Sequence, residues 1–244
     1  MILRLGALAG TVVLLGGCSW AGGDGRDRNP MNRPGYVLES PGTSSPHRIR
    51  GDRDVTSFAL VNGADVVRVR VADLAGDRYE VSTPDGSKIL PTVAVDGDEI
   101  VAGVRDSGEA GPAVVDVVLD SSVRWRVRLA GGAKDESVDL TGGPGGDVDF
   151  SAGTSRASVA LPAGRGTQRV VLGGGAAELY VRLGGDAPVR VRAGSGAGSV
   201  TINGDNHGGV SAGTVLQAPA WASATDRYDI DATAGVSTIA VSRS

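Results

Sequence analysis

The chain has 244 residues, which is enough for one large all-β domain or two smaller ones. Its formal charge of −4 argues against nucleic acid as a main partner. Although 39 residues are glycine, they follow no strict three-residue period, and this excludes a collagen-like chain.

Residues 1–17 have the pattern of a signal peptide. The uncharged run from Leu5 to Gly17 is too short to cross a bilayer, which takes about 20 apolar residues. Its length suits the apolar region of a signal peptide. The run ends in an aliphatic residue and two small residues before a cysteine, in the order Leu15, Gly16, Gly17, Cys18. This order resembles the lipobox of bacterial lipoproteins.

The resemblance implies that the Cys18 thiol receives a diacylglyceryl group and that the chain is cut before Cys18. Cys18 is the only cysteine, so it cannot form an intramolecular disulfide. Several acyl chains, at about 0.8 kcal/mol per buried CH₂, would anchor the protein stably to the outer face of the bacterial plasma membrane. The alternatives are an ordinary secretory signal with an incidental cysteine and an uncleaved anchor.

Residues 18–51 hold few apolar side chains and many turn formers, as in WAGGDGRDRNPMNRPGY and SPGTSSPHRIRGD. Such a segment cannot bury enough surface to fold. We therefore predict a flexible linker with a reach of about 30 Å, which carries a folded domain at residues 52–244.

Short alternating runs begin near Val55. Valines alternate with Arg68 and Arg70, and the same period of two returns in VRWRVRL and VRVRA. β-branched residues at this period predict half-buried strands. No window of about 12 residues shows a helical stripe, so the domain is predicted to be nearly all-β.

The turns that follow these strands are regular. Each predicted strand ends in a large apolar residue and then a Gly-rich corner, where glycine permits a positive φ and close backbone approach. Units this short must stack on one another to bury a face. We therefore predict a single β-solenoid rather than a β-sandwich. The apolar anchors recur about every 10 or 11 residues, at Leu129, Leu140, Phe150, Leu161, Leu172 and Leu183, and the series weakens to Ala193 and resumes at Ile202.

Residues 55–242 resemble the toast-rack β-solenoid family of bacterial adhesin-like proteins. The motifs that carry the resemblance are ALVNGADVVRVRV, TVAVDGDEIVAGV, SVALPAG and GAGSVTI. The acid-rich stretch GVRDSGEAGP departs from the family pattern and is predicted to be a loop. The resemblance implies the fold and an envelope location, and it carries no catalytic residues.

The stretch GGPGGDVDF at residues 142–150 is close to the calcium-binding nonapeptide of parallel β-helices. Asp149 occupies the position where that motif needs an apolar residue, and the neighbouring units lack the Gly-x-Asp element needed to share an ion between turns. We therefore predict no metal, with Phe150 facing inward and with Asp147 and Asp149 facing solvent.

The remaining candidates for chemistry are carboxylate pairs and histidines. His47 and His207 have no evident Ser or Cys partner for nucleophilic catalysis and no ligand set for zinc. We predict no catalytic residue and no cofactor, and an envelope polysaccharide-active enzyme of the β-helix type is the alternative. The acid pairs are Asp96/Asp98, Asp147/Asp149 and Asp229/Asp231.

Arginines at alternating strand positions form a candidate face for lipid headgroups or anionic wall polymers. The competing interpretation is a solvated sheet face, on which arginines pair across strands with acids such as Asp116, Asp139 and Glu178. The candidate face consists of Arg68, Arg70, Arg124, Arg126, Arg128, Arg190 and Arg192.

Together these features predict a lipid-anchored envelope protein that is not an enzyme and acts as a binding, scaffold or envelope-sensing module. Its expected partners are the membrane, through the lipid anchor, and an envelope protein or an anionic wall polymer. A lipid carrier is a third class, but it needs a deep apolar cavity, and the sequence offers no helices or spare apolar faces to build one.

Overall fold

The computed structural model describes residues 46–244 and, for the backbone, residues 37–38. The predicted signal peptide, the lipobox, Cys18 and most of the predicted linker lie outside the described residues. Within the described part the chain is all-β, with two sheets of ten strands each. None of the residues described there forms a helix able to cross a membrane.

The strand bounds follow the alternating runs in the sequence. In chain order they are β1 (Val37–Leu38), β2 (Arg48–Gly51), β3 (Ser57–Leu60), β4 (Val66–Ala72), β5 (Tyr79–Ser82), β6 (Ile89–Asp96), β7 (Glu99–Asp106), β8 (Val114–Asp120), β9 (Trp125–Leu129), β10 (Ala133–Asp139), β11 (Gly146–Phe150), β12 (Thr154–Leu161), β13 (Thr167–Leu172), β14 (Ala176–Leu183), β15 (Val189–Ala193), β16 (Ala197–Ile202), β17 (Asp205–Val210), β18 (Thr214–Gln217), β19 (Arg227–Ala232) and β20 (Val236–Arg243).

Consecutive strands from β9 to β14 alternate between the two sheets. Sheet I has the order β1-β6-β7-β3-β9-β11-β13-β19-β15-β18, and sheet II has the order β17-β16-β20-β14-β12-β10-β4-β8-β5-β2. A strand of sheet I and the sheet II strand that follows it are called a coil here. Equivalent strands of neighbouring coils pair in parallel, so Val148 of β11 is level with Val127 of β9 and Val170 of β13.

The coils do not all stack in chain order. The coil β19/β20 pairs with β13/β14 on one side and with β15/β16 on the other, although β15 and β16 precede it in the chain. Similarly, β3/β4 lies between β7/β8 and β9/β10. The sequence predicts that the unit ending at Leu183 stacks directly on the unit ending at Ala193. In the structure, the last coil of the chain lies between them.

Antiparallel strands close both ends of the stack. At one end β17 pairs with β16 and β18 pairs with β15. At the other end β5 pairs with β8, β6 pairs with β7, and β2 pairs with β5. The predicted linker, residues 18–51, contributes two short strands, because β1 pairs with β6 and β2 pairs with β5. Short terminal strands of this kind limit edge-to-edge association with other chains.

The hydrophobic core lies between the two sheets. The anchors predicted from Leu129 to Leu183 are all buried, as is Ala193, whereas Ile202 is only partly buried and packs against the core. Trp125 is also buried, and its indole Nε1 donates a hydrogen bond to the Asp120 carbonyl at 2.8 Å. A large apolar side chain buried in this way contributes about 1.5–3 kcal/mol.

Glycine is required where the corners bring coils together. At Gly146, φ is 155°, and a Cβ would lie 1.8 Å from the Trp125 carbonyl oxygen of the coil below. At Gly174, a Cβ would lie 2.1 Å from the carbonyl carbon of Ala152. No larger residue fits either corner without moving the backbone. In the stretch predicted to be a loop, residues 103–112, β7 instead continues to Asp106 before the chain leaves the sheet.

Candidate functional site: the outer face of sheet II

The arginines of the candidate anionic-polymer face lie on two different sheets. Arg68 and Arg70 project from β4 of sheet II. The others belong to sheet I, where Arg124 directly precedes β9. They therefore do not form one continuous strip. The sheet I set is Arg124, Arg126, Arg128, Arg190 and Arg192.

Most of these arginines are paired with acids on nearby strands of the same sheet. Arg190 makes two hydrogen bonds to Asp229, at 2.9 and 2.7 Å, and this contact raises the pKa of the guanidinium above its ordinary value. Across residues 46–244, Arg70 and Arg126 are exposed and make no ion pair within 4.0 Å. The other carboxylate contacts are Arg68–Asp116 at 3.3 Å, Arg128–Glu99 at 3.2 Å and Arg192–Asp231 at 3.8 Å. Arg124 instead donates to the carbonyls of Arg165 and Thr167 at 3.0 and 2.9 Å.

Most of the acids considered for sugar hydrolysis are also engaged by local contacts. Asp229 and Asp231 are bound by arginines of the adjacent strand β15. Asp147 accepts a hydrogen bond from the backbone N–H of Arg169 at 3.0 Å. Asp98 lies in the turn between β6 and β7 and accepts a hydrogen bond from the Thr56 hydroxyl at 3.3 Å. These contacts engage four of the six acids, namely Asp98, Asp147, Asp229 and Asp231.

The GGPGGDVDF stretch forms a corner followed by β11. Val148 and Phe150 are buried in the core, as predicted. Asp147 and Asp149 alternate with them and are half-buried on the outer face of sheet I. In the described part of the chain, no group of three or more His, Cys, Asp or Glu side chains is placed to hold a metal ion.

A groove lies on the outer face of sheet II and is called the Tyr180 groove here. Its floor crosses four adjacent strands, with Ser137 of β10 level with Ser158 of β12, then Tyr180 of β14 and Ala240 of β20. Its volume is about 470 Å³, within the range of small-molecule sites. Tyr180 is 41% exposed, which makes it an unusually open aromatic side chain for the centre of a ten-stranded sheet.

The groove exists because small side chains flank the aromatic ring. The direct cross-strand neighbours of Tyr180 are Ser158 and Ala240, and neither is long enough to cover the ring. Because adjacent strands are about 4.8 Å apart, the floor from β10 to β20 spans about 14 Å.

Two rows of ion pairs lie on the same outer face, one on each side of the row that contains Tyr180. Asp139 and Arg182 line the groove itself, and Asp135 and Arg156 line the neighbouring cavity. On one side Arg182 reaches Asp139 at 3.8 Å, across the strand that carries Ala160. On the other side Arg156 contacts Glu178 at 2.7 Å and Asp135 at 3.6 Å. Hydrogen bonding to Glu178 raises the pKa of the Arg156 guanidinium. The two rows are about 13 Å apart, given a rise of about 3.3 Å per residue along a strand.

Behind the groove, on the inward side of β10, lies a buried carboxyl group. Glu136 is 2% exposed and sits level with Val67 of β4 and Ala157 of β12. Its Oε2 atom has no hydrogen-bond partner among the described residues. Burial raises the pKa of this carboxyl to about 7, and a hydrogen bond with Thr154 offsets only part of the effect.

Sequence reasoning passed over both Tyr180 and Glu136, although the strand alternation contains the signal for each. In AAELYVRL, Leu179 and Val181 face the core, so Tyr180 must face outward. In AKDESVD, counting back two residues from the inward Val138 places Glu136 inward.

Comparisons with known proteins support the fold. No protein-family model matches the chain, and no curated protein matches it. A "putative cell adhesion protein" from Clostridium sporogenes has a similar structure, with 14% identity and a TM-score of 0.57 over 82% of this chain and 100% of that chain. A "putative adhesin" from Bacteroides fragilis is 13% identical, with a TM-score of 0.20 over 81% of this chain and 98% of that chain. The first likeness shows a shared all-β fold, and the second is too weak to support a conclusion about the fold.

Proposed function

We propose that the protein is a lipid-anchored, non-catalytic binding module of the bacterial cell envelope. In this proposal a linker holds a β-solenoid domain away from the outer face of the plasma membrane, and the Tyr180 groove binds a component of the envelope. The observation that carries the proposal is an exposed aromatic ring in a groove between two rows of ion pairs. Aromatic side chains that combine a large apolar surface with a polar tip are enriched where proteins bind partners.

The β-solenoid part of the proposal rests on the strand pairing. From β9 to β14 the chain alternates between sheets, and each strand pairs in parallel with the strand two positions later. The buried anchors about every 11 residues agree with one short strand and one corner per unit.

The lipid anchor rests on the sequence around Cys18. The order of Leu15, Gly16, Gly17 and Cys18 at the end of an uncharged run supports cleavage and acylation at this cysteine. An anchored protein on the membrane exterior would present the groove to envelope polymers.

A non-catalytic role is supported by the state of the acids around the groove. Asp139, Glu178 and Asp135 each contact an arginine, so they lie in cross-strand ion pairs. A glycosidase needs two carboxyl groups facing each other across the scissile bond, one of them able to donate a proton. The acids beside the groove instead face guanidinium groups across neighbouring strands.

The binding function is tested by capture of envelope material. The full chain is purified in detergent, immobilised and mixed with solubilised envelopes of its own bacterium. We expect the unchanged protein and Val215→Ala to capture the same material, because Val215 is 46% exposed on a strand of sheet I, away from the groove. Tyr180→Ala should capture little, and equal capture by both variants would contradict the proposal.

A further inference from the structure

The Tyr180 groove also indicates the chemical class of its ligand, an inference that rests on the binding function proposed above. We infer that the groove holds neutral sugar units of an envelope polysaccharide, with one pyranose ring stacked on the Tyr180 side chain. Four features favour this ligand: the shape of the floor, the chemistry of its borders, its charge and the pairing of the backbone beneath it.

The floor suits the flat face of a sugar ring. A pyranose presents C–H groups on its face and hydroxyl groups around its rim, so it needs an apolar platform with polar groups beside it. Tyr180 provides the platform, and Ser158 and Ala240 leave both flanks of the ring open. Burial of the C–H face against the aromatic ring removes apolar surface from water.

The borders of the groove suit the hydroxyl rim. Arg182 with Asp139 on one side and Arg156 with Glu178 on the other place donors next to acceptors. Neighbouring hydroxyl groups of a sugar both donate and accept hydrogen bonds, so a guanidinium and a carboxylate side by side can bind such a pair. The Ser158 hydroxyl on the floor donates to the Glu136 carbonyl at 3.4 Å, and its oxygen can still accept a hydrogen bond from a sugar hydroxyl.

The charge of the groove favours a neutral ligand. Each arginine that borders the floor already contacts a carboxylate, at 3.8 Å for Arg182 and 2.7 Å for Arg156. An anionic polymer would have to displace these carboxylates and would meet Asp139 and Glu178 as like charges. A neutral polyhydroxyl ligand leaves both ion pairs in place.

The backbone beneath the floor disfavours a peptide strand. Peptides commonly bind sheets by adding a strand at an exposed edge, where backbone N–H and C=O groups are free. Strand β12 is paired with β10 and β14, and β14 is paired with β12 and β20. The groove is thus a face rather than an edge, and its recognition groups are side chains.

The groove extends beyond one sugar unit. A second cavity of about 320 Å³ lies next to it and shares Ser137 and Ser158 with its floor. It continues along the stack towards Arg68 on β4. The two cavities together run across neighbouring strands in one direction, which suits several consecutive units of a linear polysaccharide.

The inference is tested by treating the envelope material before capture by the full chain. Periodate cleaves the vicinal diols of sugars, whereas a protease removes proteins and leaves glycans. We expect periodate to reduce capture at least tenfold and protease treatment to leave it within twofold. Capture should also persist in 1 M salt, at which the Debye length falls to about 3 Å and attraction between charges is largely screened.

Variants separate stacking from other contacts. Tyr180→Phe keeps the ring and should retain capture within about threefold, whereas Tyr180→Ala should lose at least tenfold. Ser158→Gln fills the space beside the ring from an outward position and should also reduce capture at least tenfold. Unchanged melting temperatures for these variants show that the fold is intact.

The outcomes distinguish failure of the ligand class from failure of the proposed function. Capture that depends on Tyr180 but is lost with protease and kept after periodate would overturn the sugar and leave a protein partner. If capture depends on Tyr180 but disappears in 1 M salt, the ligand is charged and the inference of a neutral sugar is wrong. Absence of any Tyr180-dependent capture from untreated envelopes would overturn both proposals.

Discussion

At the scale of single residues, Glu136 is the chemically most unusual side chain of the core. It occupies an inward row that is otherwise aliphatic, so its carboxyl group is taken out of water without a cationic partner. Burial therefore raises its pKa to about 7, compared with an ordinary value of 4.5. The rest of the row, from one end of the stack to the other, is Val115, Val67, Ala157, Leu179, Ile239 and Val200.

This carboxyl group should make stability depend on pH. Below pH 4.5 it is protonated in both the folded and the unfolded chain. Between pH 4.5 and about 7 the unfolded chain releases the proton and the folded chain holds it, so the free energy of unfolding should fall by about 3 kcal/mol. Chemical denaturation at several pH values measures this fall.

Glu136→Gln should abolish that part of the pH dependence, because an amide does not titrate. The matched control is Asp135→Asn, since Asp135 is the exposed neighbour of Glu136 on the same strand. If the free energy of unfolding depends on pH in the same way for Glu136→Gln and the unchanged protein, Glu136 is not the group that causes the fall.

Gly146 is the second residue whose replacement should strongly reduce the free energy of unfolding. A methyl group there would lie 1.8 Å from the Trp125 carbonyl oxygen, so Gly146→Ala must displace one coil against the next. We expect a loss of at least about 3 kcal/mol in the free energy of unfolding. Gly208→Ala is the control, because a Cβ at Gly208 meets no atom within 4 Å, and it should change stability by less than about 0.5 kcal/mol.

At the scale of elements, the contact between β15 and β19 is reinforced from outside the core. The Arg190 guanidinium lies 3.6 Å from the centre of the Trp221 ring and binds Asp229 on the neighbouring strand. The indole Nε1 of Trp221 in turn donates to the Tyr228 carbonyl at 2.7 Å. This cluster fixes the connection between β18 and β19 against the outer face of sheet I.

Arg190→Ala should therefore destabilise the domain by about 2 kcal/mol, since it removes a cation–π contact and leaves the partly buried Asp229 without its guanidinium. Arg126→Ala removes an exposed arginine of the same sheet and should cost less than about 0.5 kcal/mol. Thermal or denaturant unfolding measures both changes. Similar losses of stability in the two variants would show that the cluster around Trp221 contributes little to the free energy of unfolding.

The elements were largely predictable from sequence, and their order in the sheets was not. Alternation and Gly corners are local signals, which is why the anchors from Leu129 to Leu183 are confirmed as core. The position of β19/β20 between two earlier coils depends on pairing between distant parts of the chain, and several strands with similar sequence patterns could have paired there. Val181, for example, pairs with Val241, although Val191 and Val200 offer similar apolar side chains nearer in the chain.

The candidate site, too, was only partly predictable from the sequence. The outward direction of Tyr180 follows from the alternation in β14. The open space beside the ring does not, because one flank is Ala240 on the last strand of the chain, which reaches β14 only through the inserted coil. The arginines do not form a single face for a related reason, since the alternation within a strand does not show that β4 belongs to sheet II and that β9 and β15 belong to sheet I.

At the scale of the whole molecule, the proposal joins a membrane anchor to a folded domain with a binding face. The anchor is tested by labelling growing cells with a palmitate analogue. We expect label on the unchanged protein and none on Cys18→Ser, because Cys18 is the only thiol in the chain. Equal labelling of both proteins would contradict acylation at Cys18. A control variant, Met31→Ser, changes a residue of the predicted linker and should keep the label.

The antiparallel strands at both ends of the stack leave the sheet faces as the large surfaces of the domain. The outer face of sheet I carries arginines that mostly pair with acids, whereas the outer face of sheet II carries the Tyr180 groove. We therefore propose that the protein binds its ligand through the outer face of sheet II.

The most direct test of this claim is the affinity of the full chain for envelope material, measured side by side for Tyr180→Ala and Val215→Ala. Both changes remove an exposed apolar side chain, one from each sheet. We expect Tyr180→Ala to raise the dissociation constant at least tenfold and Val215→Ala to leave it within twofold. Equal dissociation constants for the two variants would contradict the claim.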